Sequence, residues 1–103
     1  MDGDTFRLGK RRIRIVGIDA PEVKWHCDSE RRLAAAATGK LHSLLNEGPF
    51  VMTGRLDGMK DRYGRYLRVL NRPLPDGTMQ SIASAMRESG LARRYVGHKS
   101  SWC

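Results

Sequence analysis

A single long amphipathic segment, flanked by shorter β-type runs, constrains the fold of this chain most strongly. Asp28 or Ser29 can cap the start of a helix, and Gly48 favours its end. Between them, apolar residues recur at the spacing of one helix face: Leu33, Ala36, Ala37, Leu41, Leu44 and Leu45. The other segments are short. We expect strands over residues 5–8, 12–18, 49–56 and 66–70, and a second helix over residues 79–89 that ends at Gly90.

The order of these segments predicts the fold class. Gly9-Lys10 separates the first two strands as the turn of a hairpin, and strands do not alternate with crossover helices. We therefore predict an α+β domain, mainly a small antiparallel β barrel or curled sheet with helices. The 103 residues suffice for one domain, 1–103, and we expect irregular structure over residues 91–103.

The charge of the chain bears on its partners. Its 19 Lys and Arg and 11 Asp and Glu give a formal net charge of +8 at pH 7, and such a surface attracts polyanions. Nucleic acid, acidic polysaccharide and an anionic membrane surface are candidate partners, with ordinary solvation of exposed faces as the alternative. No apolar run is long enough for a membrane span, and no charged-then-apolar leader precedes Asp2.

The chain contains two cysteines, Cys27 and Cys103, without the spacing of a zinc site. We expect a Cys27–Cys103 disulfide that anchors the C-terminal tail, and in the chain-entropy model it stabilises the fold by about 4 kcal/mol. The alternative is two independent thiols in a reducing cytosol.

Two acidic clusters lie at the two ends of the predicted hairpin. They cover residues 2–5 (DGDT) and 19–22 (DAPE) in a chain that is otherwise basic. Antiparallel strands bring these ends together, and a hard divalent cation relieves repulsion among gathered carboxylates. Taken singly, each cluster also fits ordinary turn or loop chemistry.

Arg14 and Arg65 are the cationic counterparts of the acidic clusters. A guanidinium matches phosphate oxygens in geometry and stays protonated, although Arg12 and Arg14 also alternate with isoleucines as on a solvated strand face. A straight strand would place residues 14 and 19 on opposite faces, so a shared site requires a bend, for which Gly17 is suited. Tyr63 fits either base stacking or an ordinary strand end.

Four spaced blocks resemble the ordered signature of the thermonuclease family, typified by staphylococcal nuclease. They are residues 2–6 (DGDTF), 14–22 (RIVGIDAPE), 61–65 (DRYGR) and 90–92 (GLA). The resemblance implies an OB-fold barrel with helices and a calcium-dependent phosphodiesterase that acts on DNA and RNA. The products of the family reaction carry a 5′-hydroxyl and a 3′-phosphate.

The resemblance also implies roles for individual residues. Asp4, Asp19 and the main-chain carbonyl of Ala20 match the calcium ligands, and Glu22 matches the general base. Arg14 and Arg65 match the arginines that bind and polarise the phosphate. Substrate contacts are expected from three further residues: Arg62, Tyr63 and Tyr95.

The family has a strand before the first block, whereas only Met1 precedes it here. We expect an N-terminally truncated domain, or another copy that supplies the open edge in a homo-oligomer. A calcium-dependent nuclease in the periplasm or secreted is the leading hypothesis, although a cytoplasmic location stays open. The alternatives are a non-catalytic OB-fold module that binds nucleic acid or protein and a domain for acidic polysaccharide or membrane surfaces.

Overall fold

The architecture is a mixed β sheet packed against two helices, with a second, two-stranded sheet beside it. The computed structural model describes residues 2–21, 27–54, 60–61, 63–95 and 102. In chain order the elements are β1 (Thr5–Leu8), β2 (Arg11–Ile15), β3 (Ile18–Asp19), α1 (Asp28–Asn46), β4 (Val51–Gly54), β5 (Tyr66–Pro73), β6 (Met79–Ser81), α2 (Ile82–Glu88) and β7 (Arg93–Arg94). The predicted α+β class is confirmed.

β1 and β2 form the predicted hairpin. They pair antiparallel with Thr5 opposite Arg14, and Gly9 turns the chain at a φ of 62°. The predicted strand over residues 12–18 is wrong in one respect, because it is two strands. Gly17 has a φ of 92° and separates β2 from β3, so the direction of the chain changes before Asp19.

The strand order of the main sheet is β1-β2-β5-β4, and β6 also pairs with β5. β2 and β5 run parallel, with Ile13 opposite Tyr66, so the antiparallel sheet predicted from sequence is wrong at this pair. The chain passes through α1 and β4 between these strands, and such a crossover allows a parallel pair. β3 pairs antiparallel with β7, which shows that the tail, expected to be irregular, contributes a strand.

Helix α1 begins at Asp28 with Cys27 as its N-cap residue, and no side chain makes a capping hydrogen bond there. The capping role predicted for Asp28 or Ser29 is therefore wrong. The buried face is close to the predicted stripe, but Ala34 is buried and Ala36 is exposed. Asp28 and Glu30 lie in the first turn of the helix, where negative charge is favourable.

Arg72 of β5 caps the C-terminal end of α1. Its side chain is 7% exposed, and its Nη2 donates to the Leu44 carbonyl and, at 3.2 Å, to the Gly48 carbonyl. Nη1 donates to Glu47 Oε2 at 3.2 Å. The last carbonyls of a helix lack partners within the helix, so a positive charge at this end is favourable.

Helix α2 is shorter than predicted at its start. Met79–Ser81 pairs with β5 as β6 and extends β5 to Pro73, so the predicted helix over residues 79–89 loses its first turn. Ser81 caps α2 by accepting a hydrogen bond from Ser84 N at 3.1 Å. Gly90 has a φ of 79° and ends the helix as predicted.

One hydrophobic core lies between the sheet and the helices. Its largest buried side chains include Phe6, Ile13, Ile15, Ile18, Leu41, Leu44, Leu70, Ile82 and Met86. Within the described residues, neither helix has the length and apolar character needed to cross a bilayer. The core fixes β1, β2 and α1 against one another, and the candidate site lies where these elements meet β3.

Candidate functional site

Asp4 is the centre of the candidate site and is buried with a relative exposure of 1%. Its Oδ1 accepts a hydrogen bond from Thr5 Oγ1 at 2.9 Å, and its Oδ2 accepts one from Ala20 N at 3.2 Å. The same Oδ2 lies 3.7 Å from Arg14 Nη1. A buried carboxylate requires such compensation because removing a charge from water is costly. Asp4 therefore joins the first acidic cluster, the second acidic cluster and an arginine.

Gly3 places Asp4 against helix α1. A Cβ atom at Gly3 would lie 2.6 Å from Ala37 Cβ and 3.0 Å from the Ala37 carbonyl carbon, both too close for any side chain. The turn is closed by Thr5 N, which donates to Asp2 O at 3.2 Å. Gly3 thus serves close packing as well as the turn that the sequence suggested, and α1 supports the buried carboxylate from behind.

Asp19 and Ala20 come to the site from β3. Asp19 is 3% exposed and lies opposite Arg93 in the β3–β7 pair, with its Oδ2 3.9 Å from Arg93 Nη2. Ala20, which follows Asp19, is fully buried and donates its N–H to Asp4. The hairpin and the bend at Gly17 thus bring Ala20, in the second acidic cluster, into contact with Asp4 in the first.

Arg14 is half-buried, with a side-chain exposure of 11%. Besides its ion pair with Asp4, its Nη1 donates to the Ile15 carbonyl at 2.6 Å, and its Cζ lies 5.9 Å from the ring centroid of Tyr95. The solvated-face alternative for Arg14 is therefore wrong. In the part of the chain that the structure describes, Nε and Nη2 make no hydrogen bond, which leaves two donors for an anion.

The backbone after β2 explains this arrangement. Val16 N donates to Arg68 O at 3.0 Å, which holds the chain against β5, and Tyr95 N donates to Gly17 O at 3.0 Å. The tail therefore returns across the bend at Gly17 and covers Arg14 with the Tyr95 ring. The bend is the feature that lets residues 14 and 19 share a site.

Asp61 holds Arg65 at the end of a tight turn. Arg65 Nε donates to Asp61 Oδ2 at 2.8 Å, and Arg65 N and Tyr63 N donate to Asp61 Oδ1 at 2.8 and 2.9 Å. Burial raises the pKa of Asp61, but these hydrogen bonds and the positive charge of Arg65 together hold it below its usual value. Asp61 thereby stays ionised and holds Arg65 through its Nε atom.

The sheet register places Arg65 and Arg14 on the same face. Arg14 lies opposite Leu67 in the parallel β2–β5 pair, and Arg65 precedes Leu67 by two residues. Side chains two residues apart in extended backbone point to one side. Arg65 is also 5.1 Å, measured from Cζ, from the ring centroid of Tyr63, which is itself 56% exposed.

The remaining predicted residues are distributed as follows. Tyr95 is 42% exposed and lies beside Arg14, and its contact with substrate stays a prediction. Glu22, Arg62 and Cys103 lie outside the described residues. The roles assigned to them, including the Cys27–Cys103 disulfide, therefore stay predictions.

The donor atoms at Asp4 and Asp19 suit a hard cation. Both carboxylates are buried, the Ala20 backbone lies beside Asp4, and the three residues offer only oxygen ligands, the type that calcium binds. Among the described residues, no three His, Cys, Asp or Glu side chains are grouped as a metal site would require. The assignment of Asp4, Asp19 and the Ala20 carbonyl as calcium ligands therefore stays a prediction.

Sequence reasoning missed Arg93 and the positioning role of Asp61. The role of Asp61 could have been inferred from its charge, which is opposite to that of Arg65 four residues later in a turn with Gly64. Arg93 gave no local signal, because its contact with Asp19 depends on the return of the tail. Its Cζ lies 3.8 Å from the Trp102 ring centroid, which fixes this part of the tail.

Comparison with known proteins agrees with the geometry. The family model of staphylococcal nuclease homologues matches residues 12–101, nearly the whole chain. A search of curated proteins gave no match. The mixed sheet with two helices is consistent with the OB-fold-like architecture of this family.

Proposed function

Because the chain belongs to the staphylococcal nuclease homologue family, we propose that it is a calcium-dependent phosphodiesterase that hydrolyses DNA and RNA to 5′-hydroxyl and 3′-phosphate ends. One observation carries the proposal. Asp4 Oδ2 lies 3.7 Å from Arg14 Nη1 and accepts a hydrogen bond from Ala20 N. The Asp4 carboxylate, proposed as a cation ligand, thus lies between the second acidic cluster and the Arg14 guanidinium, which is proposed to bind phosphate.

The two arginines bind the scissile phosphate. Arg14 Nε and Nη2 make no hydrogen bond in the described part of the chain, and Arg65 is held at Nε by Asp61, which leaves its Nη atoms for the substrate. Planar guanidinium donors stabilise the negative charge that grows on phosphate oxygens during attack.

Glu22 accepts a proton from the attacking water. The water oxygen forms a bond to phosphorus, the bond from phosphorus to the 5′ oxygen breaks, and that oxygen takes a proton from solvent and leaves as a hydroxyl. Asp4, Asp19 and the Ala20 carbonyl would hold a calcium ion, which would supply further positive charge to stabilise the transition state.

Three further residues contact the substrate in this proposal: Arg62, Tyr63 and Tyr95. The two tyrosines are 56% and 42% exposed, and each ring lies beside one of the phosphate-binding arginines. Exposed aromatic rings next to cationic groups are typical of single-strand binding surfaces. The net charge of +8 supports capture of the polymer before it reaches the site.

The location and assembly of the protein are also proposals. We assign it to the periplasm or to the exterior of the cell, where the Cys27–Cys103 disulfide would persist. Self-association through the edges of the sheet is supported by Leu8 of β1 and Val51 of β4, each 47% exposed on a terminal strand of the sheet path. Light scattering at several concentrations tests it, and a constant monomer mass would reject it.

A cleavage assay tests the function. Labelled single-stranded DNA is incubated with calcium and with chelator, using wild type, Glu22→Gln and Arg65→Gln. We expect calcium-dependent products with 3′-phosphate ends, and a loss of about a hundredfold or more in kcat for each variant. Arg32→Gln, which removes an exposed charge from α1, is the matched control and should retain full activity.

Two outcomes would contradict the proposal. Unchanged DNA binding without calcium-dependent cleavage would identify a non-catalytic binding module. A preference for heparin over oligonucleotides of any sequence would instead indicate an acidic polysaccharide as the ligand.

A further inference from the structure

Three cations surround one tyrosine ring on the face of the sheet opposite Arg14. Arg11 Cζ lies 5.4 Å, Lys60 Nζ 5.3 Å and Arg68 Cζ 5.2 Å from the ring centroid of Tyr66. We call these four residues the Tyr66 cluster. None of them belongs to the proposed site around Asp4.

The sheet register determines the position of the cluster. Tyr66 lies opposite Ile13 in the β2–β5 pair, and Arg68 lies opposite Ile15, so these side chains share the core-facing side of the sheet. Leu70, two residues further along the same face, is 1% exposed. Tyr66 and Arg68 are only half-buried, so this end of the face is partly accessible to solvent.

The positive charges of the cluster have no acidic partner among the described residues. In the described part of the chain, no Asp or Glu forms an ion pair with Arg11, Lys60 or Arg68. Each charge lies within 5.4 Å of the same ring, so the three repel one another at the distances involved. Contact with the ring face offsets part of this repulsion, and an anion placed among them would offset the rest.

Gly54 of β4 leaves room for Arg68. A Cβ atom at Gly54 would lie 2.6 Å from Arg68 Cδ and 2.9 Å from the Leu67 carbonyl oxygen. Arg68 is also oriented by its Nη1, which donates to the Leu67 carbonyl at 2.8 Å. The guanidinium is therefore held in a defined place beside Tyr66 instead of extending freely into solvent.

We propose that the Tyr66 cluster binds backbone phosphates of the nucleic-acid strand beyond the scissile phosphate. This rests on the proposed function, since it assigns a path to the substrate of that site. Arg65 and Tyr66 are consecutive, with Cα atoms about 3.8 Å apart, and alternate between the two faces. A strand whose scissile phosphate contacts Arg65 therefore passes around the start of β5 and reaches the cluster. Regularly spaced phosphates are the anions that suit three separate cations.

The test compares two triple variants with the same change in charge. The cluster variant carries Arg11→Gln, Lys60→Gln and Arg68→Gln. The control variant carries substitutions of three exposed helix residues, all to Gln: Arg32, Lys40 and Arg87. Circular dichroism and thermal unfolding establish that each is folded. If the cluster variant does not fold, Lys60→Gln alone, at an exposed residue, replaces it and is compared with Lys40→Gln.

Binding is measured with chelator present, by fluorescence anisotropy of a labelled single-stranded oligodeoxythymidylate over a range of salt. We expect the cluster variant to bind roughly tenfold more weakly than the control at low salt. The slope of log K against log salt should fall by up to about 2, since each lost phosphate contact removes about 0.7 for single strands. Equal affinities and slopes for the two triple variants would overturn the proposal.

Cleavage assays separate this proposal from the proposed function. With calcium, the cluster variant should show a raised KM for the polymer and an unchanged kcat for a dinucleotide, which is too short to reach the cluster. If the protein does not cleave DNA but the cluster variant binds DNA more weakly than the control variant, the proposed phosphodiesterase activity is rejected and the cluster proposal is supported. If the protein cleaves DNA but both triple variants bind it equally well, the cluster proposal is rejected and the proposed phosphodiesterase activity is supported.

Discussion

Replacing Asp61 by Asn tests whether this carboxylate acts on the substrate through Arg65. Asp61 accepts three hydrogen bonds, one of them from Arg65 Nε at 2.8 Å. An amide group retains the shape but removes the negative charge, and its N–H₂ would oppose the guanidinium donor at one position. Arg65 should then leave its place beside the phosphate.

The magnitude follows from the type of bond. A hydrogen bond to a charged group contributes about 1.5–3 kcal/mol. The side chains of Arg65 and Asp61 are 23% and 16% exposed, so solvent screening favours the lower end of that range. We expect Asp61→Asn to lower kcat/KM about tenfold, since about 1.4 kcal/mol in the activation free energy corresponds to a factor of ten.

The assay is a double-mutant cycle on hydrolysis of single-stranded DNA, with Asp61→Asn, Arg65→Ala and the double variant. If Asp61 acts through Arg65, the double variant should be about as slow as Arg65→Ala alone. Full additivity of the two effects would show that Asp61 does not act through Arg65. The control is Asp76→Asn, because Asp76 also accepts hydrogen bonds in a turn, from Thr78 N and Oγ1, but contacts no arginine of the described ranges. It should leave hydrolysis unchanged.

The lowered pKa of Asp61 adds a pH signature. Its pKa in the folded chain lies below the usual value of 3.8, so its stabilising effect is fully present above that value and is lost as pH falls through the folded-state pKa. The difference in unfolding free energy between wild type and Asp61→Asn should therefore be present at neutral pH and shrink at about pH 3. Urea unfolding at both pH values measures it, and a difference independent of pH would contradict the assignment.

The remaining predictions concern stability. Gly3→Ala should lower the free energy of unfolding by about 1–3 kcal/mol through overpacking against α1. Gly39→Ala, within α1 and with open space around its Cβ position, should raise it by about 0.5–1 kcal/mol. An equal effect of the two variants in urea unfolding would contradict this prediction. Arg72→Met should cost about 3 kcal/mol because the carbonyls at the end of α1 lose their donor, and an unchanged unfolding midpoint would show that the cap is unimportant. Cys27 and Cys103 should resist alkylation in the denatured, unreduced chain, and modification of both would exclude the disulfide.

Local features of the fold were predictable from the sequence. The hairpin of β1 and β2, the helix α1 and the end of α2 at Gly90 depend on turn residues and on the spacing of apolar side chains, which neighbouring residues determine. The start of α2 was not predictable in this way. Met79–Ser81 directly precedes a helix, but it forms a strand because it pairs with β5.

Features that depend on contacts between distant segments could not be predicted. The parallel pairing of β2 with β5 and the capping of α1 by Arg72 both require knowledge of which elements pack together. Local pattern also left Arg14 with two interpretations. The return of the tail, where Tyr95 N donates to Gly17 O, makes its environment a site instead of a solvated face.

The sequence was more informative about the candidate site than about the sheet. The convergence of Asp4 with residues 19 and 20 follows from hairpin geometry, and Gly17 was the residue suited to the bend that the shared site needs. The pairing of Asp19 with Arg93 was hidden, because β7 lies in a basic segment without strand periodicity.

A crystal structure of the chain grown with calcium would show whether Asp4 and Asp19 share one cation site beside the phosphate-binding arginines. We predict a single ion bound by carboxylate oxygens of Asp4 and Asp19 and by the carbonyl of Ala20, with Glu22 and Arg14 next to it. An ion bound elsewhere at saturating calcium, or carboxylates of Asp4 and Asp19 that do not share one, would contradict the account.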